Sequence, residues 1–199
     1  MYNMSTLIRH GSEEQRRTYL PRIASGALRL QSMAITEPET GSDTTQLKTS
    51  AVRTGDRYVI NGQKVWISRV HHSDLMILLA RTTPLAQVAK KSEGLSLFLV
   101  DIRQAMGAGM TVRPIPNMVN HETSELFFDN LEIPAENLIG EEGEGYRIAL
   151  SALEGGRIGI GAQSVGMARS ALEVAIAYAK ERESFGTAII NHQAVAFRL

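Results

Sequence analysis

The sequence contains no cysteine, which removes disulfides, thiolate metal sites and thiol nucleophiles, and fits a reducing compartment. It has no excess of either charge sign: 21 acidic residues balance 21 basic ones. That balance argues against a nucleic-acid footprint or a polybasic membrane anchor, though it leaves room for local basic clusters facing a phosphorylated ligand. No apolar run is long enough to span a membrane. The N-terminus lacks the charged head and apolar middle of a signal peptide. Aromatics are sparse at 6%, with a single tryptophan, Trp66. What remains is a chain of 199 residues, 43% hydrophobic, enough for one or two modest cores.

Three textures follow one another. Residues 1–30 read as helical, starting at Met1. Gly11 closes the first stretch, and Ser12-Glu13-Glu14-Gln15 is a capping box for the second. Pro21 is expected to break or kink that second helix, and Gly26 to end it. Residues 31–135 read as β. Ala51-Val52-Arg53 and Arg57-Tyr58-Val59-Ile60 flank the turn Thr54-Gly55-Asp56. Asn61-Gly62 then reads as a two-residue hairpin turn leading into Lys64-Val65-Trp66-Ile67. Further strands are expected at Leu75–Ala80, Leu95–Val100, Thr111–Ile115 and Leu126–Phe128, with a polar loop over Thr82–Glu93. Short strands at this spacing predict an antiparallel barrel or sandwich, not alternating βαβ units. The fold class is therefore α+β.

Residues 143–182 read as one helix, about 60 Å long at ~1.5 Å per residue. Gly155, Gly156, Gly159, Gly161 and Gly166 fall inside it, each costing about 1 kcal/mol against alanine. Ala152, Gly155, Gly159, Ala162 and Gly166 share one face at helical spacing. Such a stripe lets another backbone or a ligand come close, and tight helix packing is the plainer reading.

Four segments carry chemical potential, each with a bland alternative. The first is Ala34-Ile35-Thr36-Glu37-Pro38-Glu39-Thr40-Gly41-Ser42-Asp43, a polar loop after a strand. Ser42 or Asp43 can cap a short helical turn there, and free N–H groups at such a turn suit a phosphate or a flavin's polar edge. In the second, Trp66 shares a side with Ser68 by alternation, which suits a planar heteroaromatic ligand. A core tryptophan beside an ordinary strand serine is the plainer reading. The third is Glu154-Gly155-Gly156-Arg157, whose charged ends lie close enough on a helix to pair. The fourth is Arg182-Glu183-Ser184-Phe185-Gly186 with His192-Gln193, where a helix end offers a cation, a hydroxyl and a ring. Two tempting motifs fail. Gly159-Ile160-Gly161 with Gly166 does not match GxGxxG and follows no strand. His71-His72 has no carboxylate or thiolate at metal-ligand spacing and reads as loop.

Five stretches in order resemble the acyl-CoA dehydrogenase family: ITEPETGSD (35–43), INGQKVWIS (60–68), FFDNLEIPAENLIGEEGEGY (127–146), EGGRIGIGAQSVGMA (154–168) and ERESFG with HQA (181–194). Any one is weak, but together they span nearly the whole chain. The resemblance implies a remnant of an N-terminal helical domain at 1–30, a β-barrel flavin-binding middle domain at 31–140 and the start of a C-terminal helical bundle at 141–199. It implies FAD, an acyl-CoA substrate oxidised to the 2-enoyl-CoA, and electrons passed to an electron-transfer flavoprotein. Another flavoprotein on the same scaffold, an acyl-CoA oxidase or a flavin monooxygenase, is the nearest alternative; a non-catalytic truncated module is another.

By position, the resemblance assigns Met33, Ala34, Ile35, Thr36, Gly41 and Ser42 to the loop around the flavin ring, with Thr36 bonding the isoalloxazine. Ser42 also matches a position associated with the acyl-CoA. Trp66, Ile67 and Ser68 match the other flavin face, with the Ser68 hydroxyl near N5. Glu154, Gly155, Gly156 and Arg157 match a CoA-contacting stretch. Arg182, Ser184, Phe185, His192 and Gln193 match residues that hold a neighbouring subunit's FAD, which implies a homo-oligomer built as a dimer of dimers. The catalytic base should be a glutamate in a dry site, its pKa raised by desolvation. Most of the family carries it late in the helical domain, which is expected beyond Leu199. A smaller branch carries it on the long helix, where this chain has Gly156; Glu154 lies about 200° around the axis from that position. Residues 1–199 are thus expected to lack the base and to turn over acyl-CoA poorly. A bacterial cytoplasm or a mitochondrial matrix would both suit such a protein.

Overall fold

The computed structural model describes residues 2–119 and 122–199. Met1, where the first helical stretch was expected to begin, lies outside them. Two helices open the chain, α1 (Tyr2–His10) and α2 (Glu13–Ala24). The expected capping box is present: the Ser12 hydroxyl accepts from the Gln15 N–H, and the Gln15 side chain accepts from the Ser12 N–H, both at 3.1 Å. Pro21 does not break α2, contrary to expectation. The helix runs three residues past it to Ala24, because a proline near a helix end removes one N–H from a ladder that is about to stop. The Ser25 and Gly26 N–H groups then close the end onto the Pro21 and Ile23 carbonyls.

Eight strands form one sheet: β1 (Leu30–Ala34), β2 (Ser50–Thr54), β3 (Arg57–Ser68), β4 (Leu75–Arg81), β5 (Leu95–Asp101), β6 (Met110–Pro114), β7 (Thr123–Pro134) and β8 (Leu138–Ile139). A short helix, α3 (Ile102–Ala105), follows β5. The strand order is β6-β7-β3-β2-β4-β5-β8, with β1 added beside β4. The α+β class stands. Most pairings are antiparallel as expected, but β1 runs parallel to β4, and β2 meets β4 in parallel at Ser50–Arg81. The sheet is therefore mixed, and its strand order does not return on itself as a closed barrel would.

Asn61-Gly62 is not a hairpin turn. β3 continues through it from Arg57 to Ser68, and the register against β7 slips between Ile60 and Gly62. The hairpin before it turns at Gly55-Asp56, where Gly55 supplies φ 62°. At Gly62, φ is 148°, and an added Cβ would lie 2.6 Å from Thr49 Cα. The glycine marks a close backbone approach, the other meaning glycine carries inside a strand.

Both faces of the sheet are covered at β4 and β5. Met76, Leu78, Ala80, Phe98 and Val100 join one core with Tyr58, Ile60 and Leu126. Leu75, Ile77, Leu79, Leu97 and Leu99 join a second with Leu7 of α1 and with Ile148 and Ala149. This is why these strands read as unbroken apolar runs and not as alternating ones.

The chain divides into two compact units, Met1–Leu153 and Glu154–Leu199. The boundary falls within α4 (Gly145–Glu181), the single long helix expected there. In the second unit α4 is followed by a small hairpin, β9 (Glu183–Ser184) and β10 (Thr187–Ala188), and by α5 (Gln193–Ala196). Among the described residues, no helix is long and apolar enough to cross a membrane.

Candidate functional site

The first two chemically promising segments meet. The chain leaves β1 at Ala34, and its Thr36 carbonyl accepts from the Val65 N–H of β3 at 2.9 Å. One turn earlier, the Ser32 hydroxyl donates to the Ser68 carbonyl at 3.0 Å. The end of β3 is thereby held alongside residues 32–37. Consecutive burial of Lys64 and Val65 breaks the strand's alternation, and the β3–β7 register shifts between Lys64 and Ile67. Trp66 adopts a left-handed backbone, φ 61°, which turns its indole outward. The residue is 60% exposed, so the core-tryptophan reading falls. Ser68 is exposed on the same side, while Ile67 points into the core at 2% exposure.

Thr36 is half-buried and Ser68 exposed, and among the described residues neither hydroxyl has a protein partner. An open indole on a strand end held beside the Thr36 loop, with the Thr36 and Ser68 hydroxyls unpartnered among the described residues, fits a flat heteroaromatic group with a polar edge. Left-handed backbone is costly for a residue as large as tryptophan, and strain of this kind gathers where a side chain must be presented. Met33 and Ile35 are half-buried; Ala34 is fully buried in the core. Gly41 and Ser42 are exposed.

The short helical turn expected after Ser42 is present, with Asp43 as its cap. The Asp43 side chain accepts from the Thr45 N–H at 3.2 Å, and its carbonyl takes the Gln46 N–H at 3.1 Å. These two N–H groups are spent on the chain itself.

Sequence reasoning overlooked what lies beneath the site. Lys64 is wholly buried, and its Nζ donates to the Ile35 carbonyl at 2.8 Å and to Glu37 Oε1 at 3.0 Å. Glu37 is also buried and accepts the Lys48 N–H at 2.7 Å and the Thr49 N–H at 2.9 Å. Burial alone would push the Glu37 carboxyl up; the Lys64 ammonium and the hydrogen bonds of Thr49 and Lys48 outweigh it and hold the group below its ordinary value. For Lys64, burial pushes the ammonium down, and Glu37 only partly opposes it. A signal existed. Tyr58, Ile60, Gly62 and Lys64 share one parity on β3, and a lysine at inward parity requires a buried partner. Arg81, also missed, donates to the carbonyls of Thr45 at 2.7 Å, Leu47 at 3.1 Å and Glu93 at 3.1 Å, tying the loop after the site to the loop after β4.

In the second unit, the five expected residues at the end of α4 gather around the β9–β10 hairpin. Phe185 and Gly186 form its turn with φ 53° and 75°, and Phe185 is 98% exposed. The His192 Nε2 lies 3.1 Å from the Ser184 carbonyl, and its ring meets Phe185 edge-on at 6.3 Å. Arg182 and Gln193 are exposed beside them. Glu154, Gly155 and Arg157 are exposed on α4 and Gly156 half-buried; a Cβ at Gly155 would meet nothing within 4 Å. His71 and His72 form part of a short 3-10 turn, and among the described residues no cluster could hold a metal ion.

Residues 32–131 match the family profile "Acyl-CoA dehydrogenase, middle domain". That is half of the chain. The chain belongs to the acyl-CoA dehydrogenase family. Residues 143–199 match the profile of the same family's C-terminal domain. An acyl-CoA dehydrogenase of Bacillus subtilis is 40% identical over 190 residues, covering 95% of this chain and 48% of that protein. Among solved structures, a prolyl acyl carrier protein oxidase superposes with TM-score 0.89 at 35% identity, over 99% of this chain and 51% of that one. A glutaryl-CoA dehydrogenase from Mycobacterium smegmatis in complex with FADH2 does so with TM-score 0.84 at 32% identity, over 98% and 48%. The chain thus spans about half the length of the relatives it matches.

Proposed function

We propose that this chain forms the flavin-cradling part of an enzyme that uses FAD to dehydrogenate an acyl-CoA thioester to the 2-enoyl-CoA, with electrons delivered to an electron-transfer flavoprotein. The observation that carries the reading is the exposed Trp66, in left-handed backbone, on a strand end held alongside the Thr36 loop, where among the described residues the Thr36 and Ser68 hydroxyls have no protein partner. Bound FAD would supply the hydride acceptor. Thr36 and Ser68 would orient the ring's polar edge through hydrogen bonds, and the Trp66 indole would cover one face and exclude water. Ser42 would contact the acyl-CoA; in the second unit, the stretch Glu154 to Arg157 matches one that contacts CoA in the family. Arg182, Ser184, Phe185, His192 and Gln193 would hold the cofactor of a sister chain in a homo-oligomer. The corresponding domain division is 1–30, 31–140 and 141–199.

Position 156 is glycine, so α4 offers no carboxylate there, and the reading puts the base outside residues 1–199. An oxidase is the second reading, favoured by the 35% identity to the acyl carrier protein oxidase. Titrating the purified protein with FAD while following Trp66 emission tests the proposal. Quenching that weakens in Thr36→Ala and Ser68→Ala supports it; no quenching at all refutes it. Residues 1–199 should not turn over butyryl-CoA with a dye acceptor, and turnover at an ordinary enzymatic rate would overturn the base assignment. In a longer active form, reduction of oxygen in place of the dye would select the oxidase.

A further inference from the structure

We infer that the buried Lys64–Glu37 pair is a positioning device for the ring-binding edge, setting where Thr36 stands relative to Trp66 and Ser68. The inference rests on the flavin reading above and deepens it. Lys64 reaches from β3 to both neighbours of Thr36, taking the Ile35 carbonyl at 2.8 Å and the Glu37 carboxylate at 3.0 Å. With the Val65 N–H on the Thr36 carbonyl at 2.9 Å, three consecutive residues of the loop are pinned to two consecutive residues of the strand. Glu37 passes the constraint on, since its two oxygens accept from Lys48 and Thr49. The Glu37 backbone is closed as well: its N–H and carbonyl both pair with Thr40, at 3.0 Å each.

An ion pair is a poor way to gain stability here. Both side chains are removed from water, at 0% and 6% exposure, and well-packed apolar residues commonly serve as well or better. What an ammonium and a carboxylate add is direction. Two hydrogen bonds from Nζ admit one placement of the loop, whereas a methionine–leucine contact admits several. Neither Lys64 nor Glu37 is exposed to a ligand, so they act through Thr36 and Trp66 and touch no reacting atom.

The test compares Lys64→Met/Glu37→Leu with the single variants and with Glu37→Asp, which keeps the charges but shortens the reach. Glu37→Leu alone strands a buried ammonium and should lower Tm by about 10 °C. The apolar double variant should regain most of that. It should still bind FAD about tenfold more weakly, the loss of roughly one well-aimed hydrogen bond. In the FAD-free protein its Trp66 emission and acrylamide quenching should also change, because Trp66 is the only tryptophan and reports on this edge alone. Glu37→Asp should keep Tm within a few degrees yet weaken FAD binding similarly. A double variant with native Tm, native FAD affinity and native Trp66 emission would overturn the inference. So would a Glu37→Asp protein with unchanged affinity and emission, should the double variant fail to fold. Failure of the unaltered protein to bind FAD would instead sink the flavin reading, while the Trp66 measurements still decide whether the pair positions the edge.

Discussion

Gly62→Ala offers the sharpest test of how the sheet is built, because Gly55→Ala is a matched control. Both glycines have positive φ, 148° and 62°, so both substitutions strain the backbone. That strain alone costs on the order of 1–2 kcal/mol. The two differ in surroundings. Nothing lies within 4 Å of a Cβ at Gly55, whereas at Gly62 the Thr49 Cα and Oγ1 lie at 2.6 Å and Thr49 Cβ at 2.8 Å. Backbone is not the loose end of a side chain, so the strands must separate, which adds about 1–3 kcal/mol. Gly55→Ala should therefore destabilise by about 1–2 kcal/mol and Gly62→Ala by about 2–5 kcal/mol, a large part of the ~5–15 kcal/mol available to a domain. Urea unfolding followed by circular dichroism measures both, with the m-value expected to stay constant. The effect should also reach the site, because the displaced Thr49 donates its N–H to Glu37. If the two variants fall within 1 kcal/mol of each other, the close approach of Gly62 to Thr49 is refuted.

Two further outcomes are expected. Tyr58 is buried against Phe98 and donates to Glu142; burial first, then that hydrogen bond, push its phenol from 10 up to about 12. The unfolded chain then loses this proton before the folded one does, so stability falls as pH rises from 10 to about 12, by up to ~3 kcal/mol; alkaline unfolding should show that slope and Tyr58→Phe should flatten it. Phe185 is 98% exposed, so Phe185→Ala should change stability by less than about 0.5 kcal/mol while, on the proposed reading, reducing FAD retention in the oligomer; unchanged retention by gel filtration counts against its role.

Much of the architecture was legible residue by residue. Ser12 and Gln15 announced α2, Gly55-Asp56 announced a hairpin, and the regular spacing after Glu144 announced one long helix. Each of these depends on contacts within a turn or two, so composition and spacing suffice to read them. The loop around Thr36 and the strand end around Trp66 could be named as chemically promising, but not joined.

Joining them required the tertiary structure. Asn61-Gly62 has the local signature of a turn, yet Thr49, just before β2, closes on Gly62 where β3 runs on. Trp66 reads as core by type and is open by position, because a register slip against β7 rotates it outward. Lys64 stands at inward parity on β3, but the partner it needs, Glu37, comes from the loop after β1 across 27 residues of sequence. The common reason is physical. Propensity and periodicity act over neighbouring residues, while strand register and buried charge pairing are settled by which distant segments can satisfy each other's hydrogen bonds once water is gone.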